Sequence, residues 1–164
     1  MAHSGIGTFR VSTPSDREIV LTRVFDAPRA LVFEAYTKPK LMKRWFGPRG
    51  WSLVVCEVDM KVGGTFRIVW RGPDGAEMGM RGTYREIVPP ERLVHTELFD
   101  DFGDWTGDET LATTVLTERD GKTTLTTTML YPSQQVRNRV FKSGMSRGVS
   151  ECYDKLDELL ASIA

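Results

Sequence analysis

The feature that most constrains this chain is a series of proline- and glycine-bearing phrases spread through its first two-thirds. They read Phe25-Asp26-Ala27-Pro28, then Arg44-Trp45-Phe46-Gly47-Pro48, then Val58-Asp59-Met60-Lys61-Val62-Gly63-Gly64-Thr65-Phe66. Gly82-Thr83-Tyr84-Arg85-Glu86-Ile87 and Pro89-Pro90-Glu91-Arg92-Leu93 follow. Proline presets φ and removes a backbone donor, while glycine admits turns that other residues resist. Each phrase therefore marks where an element starts or stops. None of them carries an evident catalytic group, so they speak to shape before chemistry.

The stretches between the phrases can be read as elements. Residues 18–25 are rich in β-branched and apolar side chains and predict a strand. Pro28 opens a helix at a first-turn position, with Leu31, Val32, Ala35 and Tyr36 at helical spacing. Pro39 restarts a second short helix bearing Leu41, Met42, Trp45 and Phe46, and Gly47-Pro48 stops it. Residues 51–58 and 65–71 read as strands around the Gly63-Gly64 turn. Pro73-Asp74-Gly75 suits a three-residue hairpin loop, which sets Arg71 opposite Glu77, Trp70 opposite Met78, Ile68 opposite Met80 and Phe66 opposite Gly82. In that register every apolar member falls on one face; a two-residue loop would mix the faces.

Pro89-Pro90 separates the fourth strand from a fifth at 92–99. An acidic, aromatic loop follows at 100–108. Two more strands meet at Asp120-Gly121, with Leu125, Thr127 and Met129 on a shared face. Ser133 is a candidate N-cap for a helical stretch reaching about residue 162. Its stripe comprises Val149, Cys152, Tyr153, Leu156, Leu159, Leu160 and Ile163. About 29 residues at ~1.5 Å each span roughly 43 Å, enough to cross a sheet. The expected architecture is a seven-stranded antiparallel sheet curled around that helix, because no other element is long enough to cover its buried face.

Composition narrows the function classes. With 164 residues the chain suits one domain, at 16–164, behind a loose arm of Gly, Ser and Thr at 1–15. Lys and Arg number 22 against 22 Asp and Glu. This balance argues against nucleic acid or an anionic membrane as partner, since both need clustered cations. No apolar run is long enough to span a bilayer and the N-terminus lacks a signal-peptide core, so the cytoplasm is the expected location. Cys56 and Cys152 are too few for a disulfide framework and are expected as reduced thiols. The oligomeric state, monomer or homodimer, is open.

The order and spacing of the phrases resemble the START-like superfamily, also called SRPBCC or Bet v 1-like. Within it the chain is similar to the family named for the activator of the heat-shock chaperone ATPase. The resemblance rests on Phe25 to Pro28, Trp45 to Pro48, Asp59 with Gly63-Gly64, Gly82 to Ile87 and Pro90 to Leu93. It extends over roughly 18–160. It implies an α+β helix-grip fold with a cavity between sheet and long helix, holding a small hydrophobic or amphipathic ligand. Stimulation of a chaperone ATPase and cyclase- or hydratase-type catalysis are the alternatives it implies. Trp45, Trp70, Met78, Met80, Tyr84, Thr127, Met129, Phe141 and Met145 form the expected ligand-binding set. Read from the residues alone, the same cluster would be a filled core.

Direct signs of catalysis are few. His95 needs an orienting partner to act as a base, and Glu97 lies two residues along the same strand face. Val94, Thr96 and Leu98 make an equally good inward face, which would send His95 and Glu97 to solvent or to a partner. Tyr84 completes the acid–base candidates. No nucleophile-elbow motif is present, and Gly63-Gly64 does not precede a helix as a phosphate loop would, so no cofactor is expected. The carboxylates at 100–109 lack the alternating spacing of a calcium loop, so no metal is expected; Phe102 or Trp105 could instead fold back as a lid. Gly144 and Gly148 allow close packing, room for a ligand, or a local break near Gly144. Arg81 falls on the outward parity and would need a bulge to face inward.

Overall fold

The computed structural model describes residues 8–100 and 109–163. Their elements run β1 (Arg10–Ser12), β2 (Glu18–Phe25), α1 (Arg29–Thr37), α2 (Pro39–Trp45), β3 (Ser52–Val58), β4 (Thr65–Arg71) and β5 (Glu77–Val88). β6 (Arg92–Asp100), β7 (Thr110–Arg119), β8 (Lys122–Leu130), α3 (Gln134–Lys142) and α4 (Met145–Ile163) complete the order. The strands form one antiparallel sheet in the sequence β1-β2-β8-β7-β6-β5-β4-β3. Its apolar face and the stripe of α4 share a single core that includes Phe25, Phe66, Ile68, Trp70, Leu125, Tyr153, Leu156 and Leu160. This is the helix-grip arrangement.

The expected hairpin register holds. Arg71 pairs with Glu77, Trp70 with Met78, Ile68 with Met80 and Phe66 with Gly82. Leu125, Thr127 and Met129 are all buried, and Ile19, Leu21 and Phe25 of neighbouring β2 are buried with them. Ser133 caps α3, its Oγ accepting from the Val136 N–H at 3.1 Å. Between Tyr84 and Glu86 the β5–β6 register slips by one residue. That bulge lets both Tyr84 and Ile87 join the core despite their odd separation.

Two expectations need correcting. The sheet has eight strands rather than seven: Arg10–Ser12, in the stretch read as a loose arm, pairs antiparallel with Val20 to Thr22. Three residues offer too short a pattern for alternation to register. The C-terminal helix is also not continuous from residue 133. It breaks at Gly144, which adopts φ +87, into α3 and α4. Ser143 ends α3 with its hydroxyl and its N–H both donating to the Val140 carbonyl. The break frees α3 from the line of α4, and its Val136 and Val140 pack on Ile19, Leu21 and Met129. Arg137 Nη1 secures it by donating to the carbonyls of Ser15 and Glu18.

Candidate functional site

A cavity of about 410 Å³ lies between the inner face of the sheet and α4, with α2, α3 and the segment after α2 completing its wall. An aromatic belt runs along one side. Tyr36 meets Trp45 at 4.9 Å between centroids, Trp45 meets Phe46 at 5.2 Å, Phe46 meets Trp70 at 5.3 Å and Trp70 stacks on Phe99 at 6.5 Å. Two indole donors are spent on backbone: Trp45 Nε1 on Ala35 O at 2.9 Å and Trp70 Nε1 on Phe46 O at 3.0 Å. The Gly47-Pro48 phrase makes this possible. A Cβ on Gly47 would sit 2.7 Å from the Trp70 ring, and its φ of +129 suits glycine alone. The carbonyl of Gly47 accepts from Lys155 Nζ at 3.0 Å, fastening the α2–β3 loop to α4.

The polar groups of the lining fall into two sets. In the first, the Tyr36 hydroxyl is hydrogen-bonded to that of Tyr153, which also pairs with Thr127. Thr127 Oγ1 lies 3.1 Å from Thr114 Oγ1. The resulting seam joins α1, α4, β8 and β7. Burial pushes the Tyr153 phenol up to about 12 and Tyr36 well above its ordinary value, so both stay neutral at physiological pH.

The second set is the pair His95–Glu97. His95 Nε2 lies 2.9 Å from Glu97 Oε2, and the side chains are only 14% and 12% exposed. The imidazole meets the rings of Phe66 and Tyr84 edge-on at 5.4 and 6.0 Å. With the ring neutral, facing a carboxylate places the proton on Nε2 and leaves Nδ1 as an acceptor. Nδ1 is buried and has no hydrogen-bond partner. Such an atom costs about 1–3 kcal/mol unless water or a bound molecule satisfies it.

The structure places the two strand faces of β6 unambiguously. His95 sits opposite Tyr84 on one side and Ala112 on the other, all lining the cavity, and Glu97 follows on the same face. Thr96 turns to the outer face, where its Oγ1 accepts from the Thr83 N–H at 2.9 Å. Val94 and Thr96 are nevertheless buried, so hydrophobicity alone could not separate the two parities. Arg81 stays outward beside Arg67, because the bulge lies beyond it at Tyr84.

Among the residues expected to bind ligand, Trp45, Trp70, Met78, Met80, Tyr84, Thr127, Met129 and Met145 all line the cavity. Phe141 does not: the α3 break turns it to solvent, 46% exposed. Tyr36, Tyr153, Tyr131, Phe66 and Phe99 also line the cavity, beyond the expected ligand-binding set. The available signal was a phenol at a helix-stripe position, as with Tyr36 and Tyr153, where an apolar residue would pack equally well. Phe102 and Trp105 lie outside the described residues.

Burial raises both free thiols, Cys152 up to about 11, which suits packing rather than nucleophilic attack. Among the described residues no three His, Cys, Asp or Glu gather where they could hold a metal ion. No described helix is long and apolar enough to cross a membrane.

A sheet gripping one long helix over an apolar cavity defines a START-like protein. The match to a known family is direct: the model described as "Activator of Hsp90 ATPase homolog 1-like protein" covers residues 26–161, and the chain belongs to that family. A crystal structure of a protein from Rhodobacter sphaeroides is similar at 33% identity over 95% of this chain and 99% of that one, with a TM-score of 0.88. One from Nitrosomonas europaea shares 26% identity over 92% and 97% of the two chains, with a TM-score of 0.82. An AHSA1 protein from Silicibacter pomeroyi, at 19% identity over 90% and 99% and a TM-score of 0.72, shares the fold. No curated protein matches this chain.

Proposed function

We propose that this protein binds a small hydrophobic or amphipathic molecule in the cavity between its sheet and α4. The observation that carries the reading is an apolar space of about 410 Å³ into which a few polar side chains converge. That volume falls in the range of small-molecule sites, which are mostly apolar with a few orienting groups. A ligand burying about 300 Å² of apolar surface gains about 7 kcal/mol at ~25 cal/mol per Å². Association costs reduce the net, so micromolar binding needs the polar contacts as well. Met78, Met80, Met129 and Met145 supply adaptable walls. Native mass spectrometry of the protein from its own cells is expected to show a retained small molecule. Failure to find one there, together with no thermal shift across an apolar library, sinks the reading.

A second reading is favoured by the His95–Glu97 contact at 2.9 Å inside the cavity. A base held by an orienting carboxylate in a water-poor site is the arrangement general-base chemistry needs. Incubation with the retained molecule, followed by mass spectrometry, separates the two: conversion that Glu97→Gln abolishes supports catalysis, and an unchanged molecule supports binding alone. Stimulation of a chaperone ATPase is suggested by the family description only. Chaperone turnover unchanged at saturating amounts of this protein disposes of it.

A further inference from the structure

We infer that Glu97 selects ligands by their head group: the cavity admits apolar molecules whose polar end donates a hydrogen bond, a hydroxyl or an amine, and rejects those ending in a carboxylate. This rests on the binding role proposed above and gives it a ligand class. The reason is an imbalance of charge. Among the described lining residues there is no lysine or arginine, and Glu97 is the sole carboxylate. Two cations that fasten α4 are engaged through hydrogen bonds of their own. Arg23 Nη1 donates to Asp154 at 2.9 Å, and Lys155 Nζ donates to the Gly47 carbonyl at 3.0 Å. With its ring neutral, His95 faces Glu97 through Nε2 and presents Nδ1 as an acceptor, not a positive charge.

A carboxylate arriving in this space loses its hydration, meets a fixed negative charge and finds no cation with which to pair. An unpaired buried anion is among the costliest groups a site can hold. A donor head meets the opposite situation. Glu97 has acceptor capacity beyond the one oxygen that faces His95, and a donor to a carboxylate makes the stronger, charge-assisted kind of hydrogen bond. The tyrosines around the pair do not change the balance, because neutral phenols can orient a head group without supplying positive charge. A cationic or donor-bearing end is therefore the head group that complements Glu97.

The test uses three probes of one shape on the full chain at neutral pH: naphthalene, 2-naphthol and 2-naphthoate. Quenching of the tryptophans that line the cavity, Trp45, Trp51 and Trp70, reports binding. We expect 2-naphthol to bind about tenfold more tightly than naphthalene, the value of one good hydrogen bond to a charged group. 2-Naphthoate should bind at least about tenfold more weakly than naphthalene. In Glu97→Gln the ratio of naphthol to naphthoate affinity should shrink by about tenfold or more. Naphthoate binding as tightly as naphthol in the unmodified protein overturns the selection while leaving the binding role intact, and so does a ratio that Glu97→Gln leaves unchanged. If none of the three binds, this inference falls, while the binding role is decided by the retained-molecule and library measurements above. The rank order in the unmodified protein decides the matter even if the variant folds poorly.

Discussion

Arg23 offers a sharp test of how α4 is held over the cavity. It points inward from β2 with no exposed surface. Its Nη1 donates to Asp154 Oδ1 at 2.9 Å, its Nη2 lies 3.7 Å from Asp157 Oδ2, and its guanidinium sits 5.3 Å from the Phe25 ring centroid. Both aspartates belong to α4, so this cluster ties helix to sheet. Yet Nε and Nη2 lack hydrogen-bond partners. The guanidinium has given up hydration that the fold only partly replaces. Two substitutions should therefore behave oppositely to a simple count of ion pairs. Breaking a buried pair from one side typically costs about 3–5 kcal/mol. In Asp154→Asn the more distant Asp157 and the Phe25 face remain to offset part of that, which leaves about 2–3 kcal/mol. Arg23→Met removes the buried charge itself, and the two aspartates it strands are 20% and 33% exposed and can rehydrate. It should cost less than about 1 kcal/mol or even stabilise. Urea denaturation at neutral pH with unchanged m-values reads both. In thermal terms Asp154→Asn should lower Tm by roughly 5–10 °C. A loss above about 2 kcal/mol for Arg23→Met, with less than about 1 for Asp154→Asn, would refute the reasoning.

The two glycines near the helix joint should respond with opposite signs. Gly144→Ala meets open space but keeps φ +87, and should lose about 1–2 kcal/mol; Gly148→Ala lies inside α4 with only Pro48 at 3.6 Å and should gain up to about 1, both read by chemical denaturation. Alkaline stability should fall between pH 10 and about 12. Burial pushes the Tyr153 phenol from its ordinary value of 10.0 up to about 12, so the folded state holds its proton longer, and stability present below pH 10 is lost as pH rises through the folded value. That difference is worth about 3 kcal/mol, and Tyr153→Phe should flatten a pH-dependent urea series accordingly. Ala112→Leu places its added carbons in the cavity, so stability should change by less than about 1 kcal/mol while ligand uptake falls; a larger loss by thermal denaturation would mean that no space is there.

Much of the fold could be read from the chain because turn chemistry sets register and register sets facing. Pro73-Asp74-Gly75 decides that Trp70 opposes Met78, and from that one pairing the inward set Phe66, Ile68, Trp70, Met78 and Met80 follows by parity. The departures arise where local chemistry competes with a tertiary term. β1 exists because β2 offers it an edge, not because three residues prefer a strand. Gly144 could have been a packing glycine or a break. What favours the break is the seat that Ile19, Leu21 and Met129 provide for Val136 and Val140, far away in sequence. Phe141 follows from the break: near the end of α3 it faces solvent, whereas a continuous helix would carry it on the stripe of Met145 and Val149.

The site was less legible than the fold for a related reason. On β6 both parities are shielded: Val94 and Thr96 are buried on one side, and His95 and Glu97 are half-buried on the other. Amphipathic alternation selects a face only when the other face is wet. Here the choice is made by pairing: β5 presents Tyr84 to His95, and β7 presents Ala112. The bulge after Tyr84 confines the parity change to the far end of the hairpin, so His95 and Glu97 keep the facing that the Trp70–Met78 register imposes. The only carboxylate among the described lining residues is thus carried into an apolar cavity by a turn some twenty residues earlier, and its chemistry is a consequence of register rather than of any motif around it.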